Sequence, residues 1–214
     1  MASSGKRNAR LGSTARSAAQ IRTLKAALDL FAEYGVGATS YQMIADAIGV
    51  TKGAIYHQFK TKEELIIAVA EMELAKLENA LEAAEAEDDP DRGRALLLNR
   101  IVDHAVEHRR AASTFQFDPV LARLLSDHEP FQRFVERLYG MLVGEGVGSD
   151  ARVRMAALTC VVGGTVAHPF VADLDDETLR AQLLDMVRQL IDLPRAKIRN
   201  LRSNGSRSRR AASA

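Results

Sequence analysis

The segment from Thr51 to His57 concentrates side chains that can donate hydrogen bonds or carry positive charge. Thr51 offers a hydroxyl, Lys52 an ammonium group, Tyr56 a phenol and His57 an imidazole, whereas Gly53 exposes only backbone. Such groups pair with anionic oxygens and with the acceptors on the edges of nucleic-acid bases. The sequence shows no paired carboxylates and no glycine-rich phosphate loop, so this segment is more typical of a binding surface than of an active site.

Two other groupings could in principle carry chemistry. Cys160 and His168 suggest a nucleophile and its base, but eight residues on one helix separate them by about two turns, too far for direct proton transfer. Cys160 also stands among apolar neighbours, which predicts a buried and unreactive thiol. His104 and His108 are four residues apart and could share a metal ion or a carboxylate, yet no further ligand is identifiable by spacing. We therefore expect no enzyme, no metal site and no cofactor.

The elements that must position the first segment are two very short helices joined by a turn. The apolar residues that recur at helical offsets are Ile44, Ile48, Val50 and Ile55. Ala45 is small where the helices would cross, and Gly49 can adopt the positive φ that ends the first helix. These offsets are typical of a helix-turn-helix, whose second helix places its N-terminal residues in the major groove of DNA. Any helical hairpin needs a small residue and a glycine, but the full set of offsets favours DNA binding.

The remaining sequence predicts helices and no strand. An amphipathic helix begins near Ala18 and ends at Gly35 and Gly37. Capping-box spacing at Thr39 and Gln42, and again at Thr61 and Glu64, predicts helices that begin near Ser40 and Lys62. The latter would run for about 25 residues. Later helices are expected at about 91–110, 119–127, 130–145, 150–167 and 175–193. The fold class is therefore all-α with about nine helices, in an N-terminal three-helix domain and a larger helical domain.

Charge is divided along the chain into three blocks. Residues 1–62 hold nine Lys or Arg and three acids, residues 63–194 hold 13 basic and 25 acidic residues, and residues 195–214 hold seven basic residues and no acid. A basic N-terminal block is typical of a segment that binds a polyanion. Two basic ends that are simply solvated would give the same charge distribution. We expect a disordered basic arm at 1–17, a DNA-binding domain at 18–62, the larger domain at 63–194 and a disordered basic tail at 195–214.

Cysteine usage and hydropathy indicate the compartment. The single cysteine excludes an internal disulfide framework, and no run approaches the roughly 20 apolar residues of a membrane helix. We expect a cytoplasmic protein that makes no membrane contact.

Residues 20–66 resemble the DNA-binding region of the TetR family of bacterial transcriptional regulators. "TLKAALDLFAEYG" is similar to the family's first helix, "TSYQMIADAIGV" to its second helix and turn, and "TKGAIYHQFKTKEEL" to its recognition helix and the start of the fourth. Gln58 departs from the pattern, since the family often has His there, and His57 stands one place earlier. The resemblance implies a homodimer that binds a double-stranded DNA operator, most often as a repressor. It also implies that a small-molecule effector releases the dimer from the operator.

The resemblance also implies roles for individual residues. The residues that would bind phosphate oxygens, and so position the protein, are Thr39, Ser40, Tyr56 and Lys60. The residues that would lie in the major groove and specify the operator are Thr51, Lys52, Gly53 and His57. Gln42 could also reach the DNA, although a role in the capping box explains it equally well.

The larger domain would hold the effector cavity and the dimer surface. The candidate cavity residues are His104, His108, Phe115, Phe117, Phe131, Phe134, Tyr139, Thr159 and His168. Aromatic residues at such spacing are also typical of an ordinary core. Because apolar residues dominate this set, we expect a predominantly apolar effector such as a lipid, an acyl thioester or a drug-like compound.

The last two helices carry the candidate dimer residues. These residues are Met155, Leu158, Val162, Val166, Leu183, Met186, Val187 and Leu190, which would form a four-helix bundle across the dimer axis. The same stripe could instead complete the core of a single chain.

Overall fold

The computed structural model describes residues 10–11, 15–144 and 148–192, except for the side chains of residues 113, 115–117 and 192. Within these residues the protein is all-α, as the sequence predicts, and contains no strand. The helices are α1 (Ala18–Tyr34), α2 (Tyr41–Ile48), α3 (Lys52–Gln58), α4 (Lys62–Glu85), α5 (Pro90–Glu107), α6 (Arg109–Phe117), α7 (Pro119–Ser126), α8 (Glu129–Val143), α9 (Ser149–Val166) and α10 (Asp176–Asp192), with a 3₁₀ turn at Pro169–Val171. The expected disordered tail at 195–214 lies outside the described residues.

The caps of α2 confirm one sequence expectation and correct another. Gly49 has a φ of 70° and ends α2 in the left-handed conformation, as predicted. The N-cap is Ser40 and not Thr39: the Ser40 hydroxyl accepts a hydrogen bond from the Met43 N–H at 3.3 Å. Gln42 takes no part in a capping box, because its amide donates to Asp46 Oδ1 at 2.7 Å.

The start of α4 is fixed by the residues that precede it. Thr61 caps the helix as predicted and accepts from the Glu64 N–H at 3.1 Å. The reciprocal bond goes one residue further back, since the Lys60 N–H donates to Glu64 Oε2 at 2.8 Å. This arrangement fixes Lys60 between the end of α3 and the start of α4.

α6 is the helix that brings the count to ten among the described residues instead of the expected nine. The sequence predicts that the preceding helix continues to about residue 110, but α5 ends at Glu107 and His108 adopts a φ of −115° and a ψ of 29°. His108 makes no side-chain cap, and neither Gly nor Pro marks the break. No local signal therefore separates α5 from α6.

The helices enclose two clusters of buried apolar residues. One lies among α1 to α4 and includes Phe31, Ile44 and Ile55. The other lies mainly among α5, α8, α9 and α10. The first half of α4 contributes to the first cluster and its second half to the other, so α4 is shared by the two cores.

At Gly93, α5 approaches α4 closely. The addition of a single methyl group there should therefore change the stability of the protein. A Cβ atom at residue 93 would lie 2.5 Å from both the Ala84 carbonyl oxygen and Met141 Cε. The Met141 side chain can move, but the backbone of α4 cannot move without displacing a helix. Gly93→Ala should lower the free energy of unfolding by about 1–3 kcal/mol, although alanine is the better helix former by about 1 kcal/mol. Urea denaturation followed by circular dichroism measures the change.

The matched control is Gly140→Ala on the exposed face of α8. A Cβ there would meet nothing within 4 Å, so the control should keep or gain stability. Equal stability of the two variants would contradict the close approach at Gly93.

Candidate nucleic-acid interface and effector cavity

The helix-turn-helix is built around a small set of buried side chains. Ile44, Ala45 and Ile55 are inaccessible to solvent and belong to the cluster that α1 closes. Ala45 on α2 is thus fully buried, and α2 packs against α3. Because Ile55 faces inward, the opposite face of α3 faces solvent.

The exposed face of α3 contains the residues predicted to read DNA. Thr51, Lys52, Gly53 and His57 are all exposed. Thr51 is the N-cap of α3 and accepts from the Ala54 N–H at 3.2 Å, which leaves its hydroxyl hydrogen available to an acceptor. A Cβ at Gly53 would touch only Thr51 Oγ1, at 3.8 Å, so the fold itself does not require glycine there.

The end of α3 presents an ammonium group beside an exposed phenol. Lys60 Nζ lies 5.4 Å from the centroid of the Tyr56 ring, within the range of a cation–π contact. Both side chains are exposed. Lys62, by contrast, donates to the Gly37 carbonyl at 2.8 Å and is part of the fold.

Thr39 does not lie where a phosphate contact would need it. Only 2% of Thr39 is exposed, and its hydroxyl contacts the Gly35 carbonyl at 2.9 Å and the Leu30 carbonyl at 3.2 Å. Its single hydrogen is used inside the fold, so the expected phosphate role of Thr39 is corrected to a structural one. Ser40 and Gln42, by contrast, are exposed.

Gln58 has a structural contact that its position explains. Its amide oxygen accepts a hydrogen bond from Thr23 Oγ1 at 3.0 Å, and Thr23 is fully buried on α1. This bond fastens the last residue of α3 to α1. Gln58 therefore helps to fix the orientation of α3 relative to α1.

A cavity of about 260 Å³ lies among α4, α5, α8 and α9, with α6 on one side. The predicted residues that line it are His104, His108, Phe131, Phe134, Tyr139 and Thr159. The side chains of Phe115 and Phe117 lie outside the described residues. The prediction that His168 lines the cavity is wrong. His168 lies beyond the C-terminus of α9, where its Nδ1 accepts a hydrogen bond from the Phe170 N–H at 3.2 Å.

Glu73 is the acidic residue of the cavity lining, and it is not among the residues predicted from the sequence. Its carboxylate is buried on α4, 3.9 Å from His108 Nδ1, while Lys76 Nζ lies 3.2 Å from His108 Nε2. Burial raises the pKa of the Glu73 carboxyl. Burial, together with electrostatic interactions with His108 and Lys76, lowers the pKa of His104 to about 4, so His104 is neutral near pH 7. A usable signal existed: Glu73 follows Val69 by four residues and precedes Leu77 by four, on the apolar stripe of α4.

Comparison with known proteins agrees with this geometry. Residues 24–69 match the family model described as "Bacterial regulatory proteins, tetR family". The chain is 38% identical over 90 residues to the HTH-type transcriptional regulator AcrR of Shigella flexneri, which covers 41% of this chain and 42% of that protein. Residues 24–69 of this chain are thus a DNA-binding region of the TetR family of bacterial transcriptional regulators.

Other TetR-family likenesses extend over more of the chain. The uncharacterised HTH-type regulator YerO of Bacillus subtilis is 23% identical over 187 residues, covering 79% of this chain and 63% of that protein. The chain thus spans less than two thirds of either relative's length. FadR of Bacillus halodurans, a fatty acid degradation regulator, superposes with a TM-score of 0.64 at 17% identity over 85% of this chain and 99% of that one. FadR of Bacillus subtilis in complex with stearoyl-CoA superposes with a TM-score of 0.60 at 19% identity over 80% and 97%. At these identities the structural likeness concerns the fold alone.

The dimer stripe expected on the last two helices is largely contradicted by the burial of its residues. Six of its eight residues, Met155, Leu158, Val162, Val166, Leu183 and Val187, are buried in the core of the single chain. Leu190 is half-buried against that core, and Met186 is 49% exposed. The outer face of α9 instead carries Val153, which is 68% exposed, and Cys160, which is exposed and not buried as expected.

Among the described residues, no helix is both long and apolar enough to cross a membrane.

Proposed function

We propose that this chain represses transcription by binding a palindromic operator as a homodimer, and that a small, mainly apolar effector releases it. The observation that carries the proposal is the exposed N-terminal end of α3. Thr51, Lys52 and Gly53 are exposed there. Thr51 caps the helix, and the fold does not require glycine at residue 53. Residues 18–62 would form the DNA-binding domain and residues 63–194 the effector-binding and dimerisation domain. Its place of action would be the cytoplasm.

The proposed DNA contacts divide into those that position and those that specify. Ser40, Tyr56 and Lys60 would bind phosphates, with Gln42 beside them. Thr51, Lys52, Gly53 and His57 would face base edges in the major groove, where an ammonium group suits guanine O6 and N7.

Selection from a random duplex pool tests the proposal. At physiological salt the chain should enrich sequences with inverted half-sites whose centres lie about one helical turn, roughly 34–36 Å, or a multiple of that apart. Enrichment of no motif, or of duplexes by base composition alone, would instead indicate a protein that coats DNA.

Lys60→Ala should weaken binding about equally on all duplexes. Its ammonium group is exposed at the junction of α3 and α4, which suits a phosphate contact. Loss of one such contact should flatten the slope of log K against log salt by about 0.9. Fluorescence anisotropy at several salt concentrations measures the slope, and Lys60→Arg, which keeps the charge, should leave it unchanged. An altered base preference with an unchanged slope would assign Lys60 to base reading.

The dimer surface is proposed on the outer faces of α9 and α10. Val153 and Met186 are exposed apolar side chains on these faces. Exposed apolar surface is typical of protein–protein interfaces. Val153→Asp should convert the dimer to a monomer in sedimentation velocity. The matched control is Val120→Asp on α7, since Val120 is 41% exposed and lies elsewhere. Loss of the dimer in both variants would show an effect on folding and not on the interface.

Effector action is proposed to run through α4. Glu73, Leu74 and Leu77 line the cavity, and the same helix begins at Lys62, two residues after Lys60. An effector releases DNA only if it binds the released state more tightly than the DNA-bound state. The cavity lies just below the usual range of about 300–1,000 Å³ for ligand pockets, so a compact apolar effector fits best. Octanoyl-CoA and stearoyl-CoA are suitable probes: the shorter acyl chain should release DNA at the lower concentration.

A further inference from the structure

Arg10 and Leu11, in the expected N-terminal arm, contact α4. Leu11 is only 2% exposed and belongs to the same core cluster as Leu81 and Ala84 of α4. Beside it, the Arg10 guanidinium hydrogen-bonds Asn79 and lies 2.9 Å from Glu82 Oε2. The expectation of a disordered arm is therefore wrong at these residues. Most of the expected arm, residues 1–9 and 12–14, lies outside the described residues.

A second contact joins the base of the arm to α4. Arg16, directly before the N-cap of α1, places Nη2 at 2.6 Å from Glu71 Oε2, and both side chains are mostly buried. Glu71 precedes Glu82 on α4, whereas Arg16 follows Arg10. The arm thus lies antiparallel to α4 and links the start of the DNA-binding domain to the middle of the helix that both cores share.

Residues 10–11 are held by one apolar anchor, one hydrogen bond to Asn79 and one weak ion pair. The Arg10–Glu82 pair is about two-fifths exposed on both sides, so water and salt screen it. The burial of Leu11 is the main contribution at this end. A competing polyanion could therefore take Arg10 from Glu82 without disrupting the folded domains.

Duplex DNA is the polyanion that fits. The residues before Leu11 include Lys6, Arg7 and Arg10 and no acid. Arg10 stands seven positions before Ser17, the N-cap of α1, and α1 belongs to the proposed DNA-binding domain. One guanidinium cannot serve Glu82 and a phosphate at the same time.

We propose that residues 10–11 form a strap that exchanges between the acidic edge of α4, at Asn79 and Glu82, and the phosphate backbone of duplex DNA. In its docked position the strap withholds Arg10 from DNA and ties α4 to α1. This inference rests on the proposed DNA-binding function.

The test releases the strap while keeping its charges. Leu11→Asn removes the apolar anchor, so the slope of log K against log salt on a random duplex should steepen by about 0.9 for the additional phosphate contact. The double variant Arg10→Gln with Leu11→Asn should return to the slope of the unmodified protein. Glu82→Gln, which leaves the core untouched, should steepen the slope in the same direction and carries the test if Leu11→Asn fails to fold.

Tryptic cleavage after Arg10, followed by mass spectrometry without DNA, measures docking independently. The unmodified protein should be cleaved there more slowly than Leu11→Asn. Equal cleavage rates, or different rates with equal salt slopes, would overturn the strap. An unmodified protein that binds no duplex at any salt would overturn the proposed function together with the strap, so the two failures are distinguishable.

Discussion

Arg137→Ala is expected to lower the free energy of unfolding by about 3 kcal/mol, the lower end of the cost of removing one partner of a buried ion pair. Glu78 on α4 is 2% exposed, and the Arg137 guanidinium on α8 contacts its Oε1. The same guanidinium donates to both oxygens of Glu85, at 3.0 and 2.7 Å. The hydrogen bonds that Arg137 donates to Glu85 and Glu78 raise its pKa above its already high value. Without Arg137, Glu78 would remain as a buried charge with no cation beside it.

Urea denaturation measures this loss in the free energy of unfolding, and two further variants serve as its controls. Arg133→Ala on the same helix breaks a surface bond to Glu129 and should cost under about 1 kcal/mol. Arg137→Met combined with Glu78→Leu should cost less than Arg137→Ala alone, because it removes the buried charge as well as its partner. Similar losses for Arg133→Ala and Arg137→Ala would contradict the buried pair.

Gly53→Ala should weaken specific DNA binding by ten- to a hundredfold, about 1–3 kcal/mol, while the protein itself stays folded. The fold has room for the methyl group, since its nearest contact would be Thr51 Oγ1 at 3.8 Å. Alanine is also the better helix former by up to about 1 kcal/mol. The methyl group would instead separate the first turn of α3 from the base edges. Fluorescence anisotropy gives the affinity and urea denaturation the stability.

The control for Gly53→Ala is again Gly140→Ala, which gains the same helix propensity far from α3. It should change stability in the same direction and leave DNA affinity unaltered. Unchanged affinity in Gly53→Ala would show that the backbone at residue 53 does not approach DNA.

Local patterns predicted the helix-turn-helix because its determinants are local. Ile44, Ile55 and Gly49 lie within twelve residues, and periodicity and turn geometry alone fix which way each must face. The same reasoning failed at Thr39, where two adjacent hydroxyl residues compete for one cap and only the surrounding carbonyls decide between them.

Long-range contacts account for what the sequence did not predict. An apolar stripe such as Met155, Leu158 and Val162 looks the same whether it packs within a chain or between two chains. Glu78 looks like any surface acid of a helix until Arg137, 59 residues away, approaches it. Leu11 lies in a basic, polar segment whose composition alone predicts disorder, and its burial depends on a surface formed by distant helices.

The central claim is that α3 reads a specific DNA sequence. Its most direct test is the ratio of affinities for the palindrome recovered by selection and for a scrambled duplex of the same composition, measured at one physiological salt concentration. A specific regulator should prefer the palindrome by about 10³-fold or more, and Gly53→Ala should reduce that ratio. A ratio near one, with both affinities falling steeply as salt rises, would contradict the account.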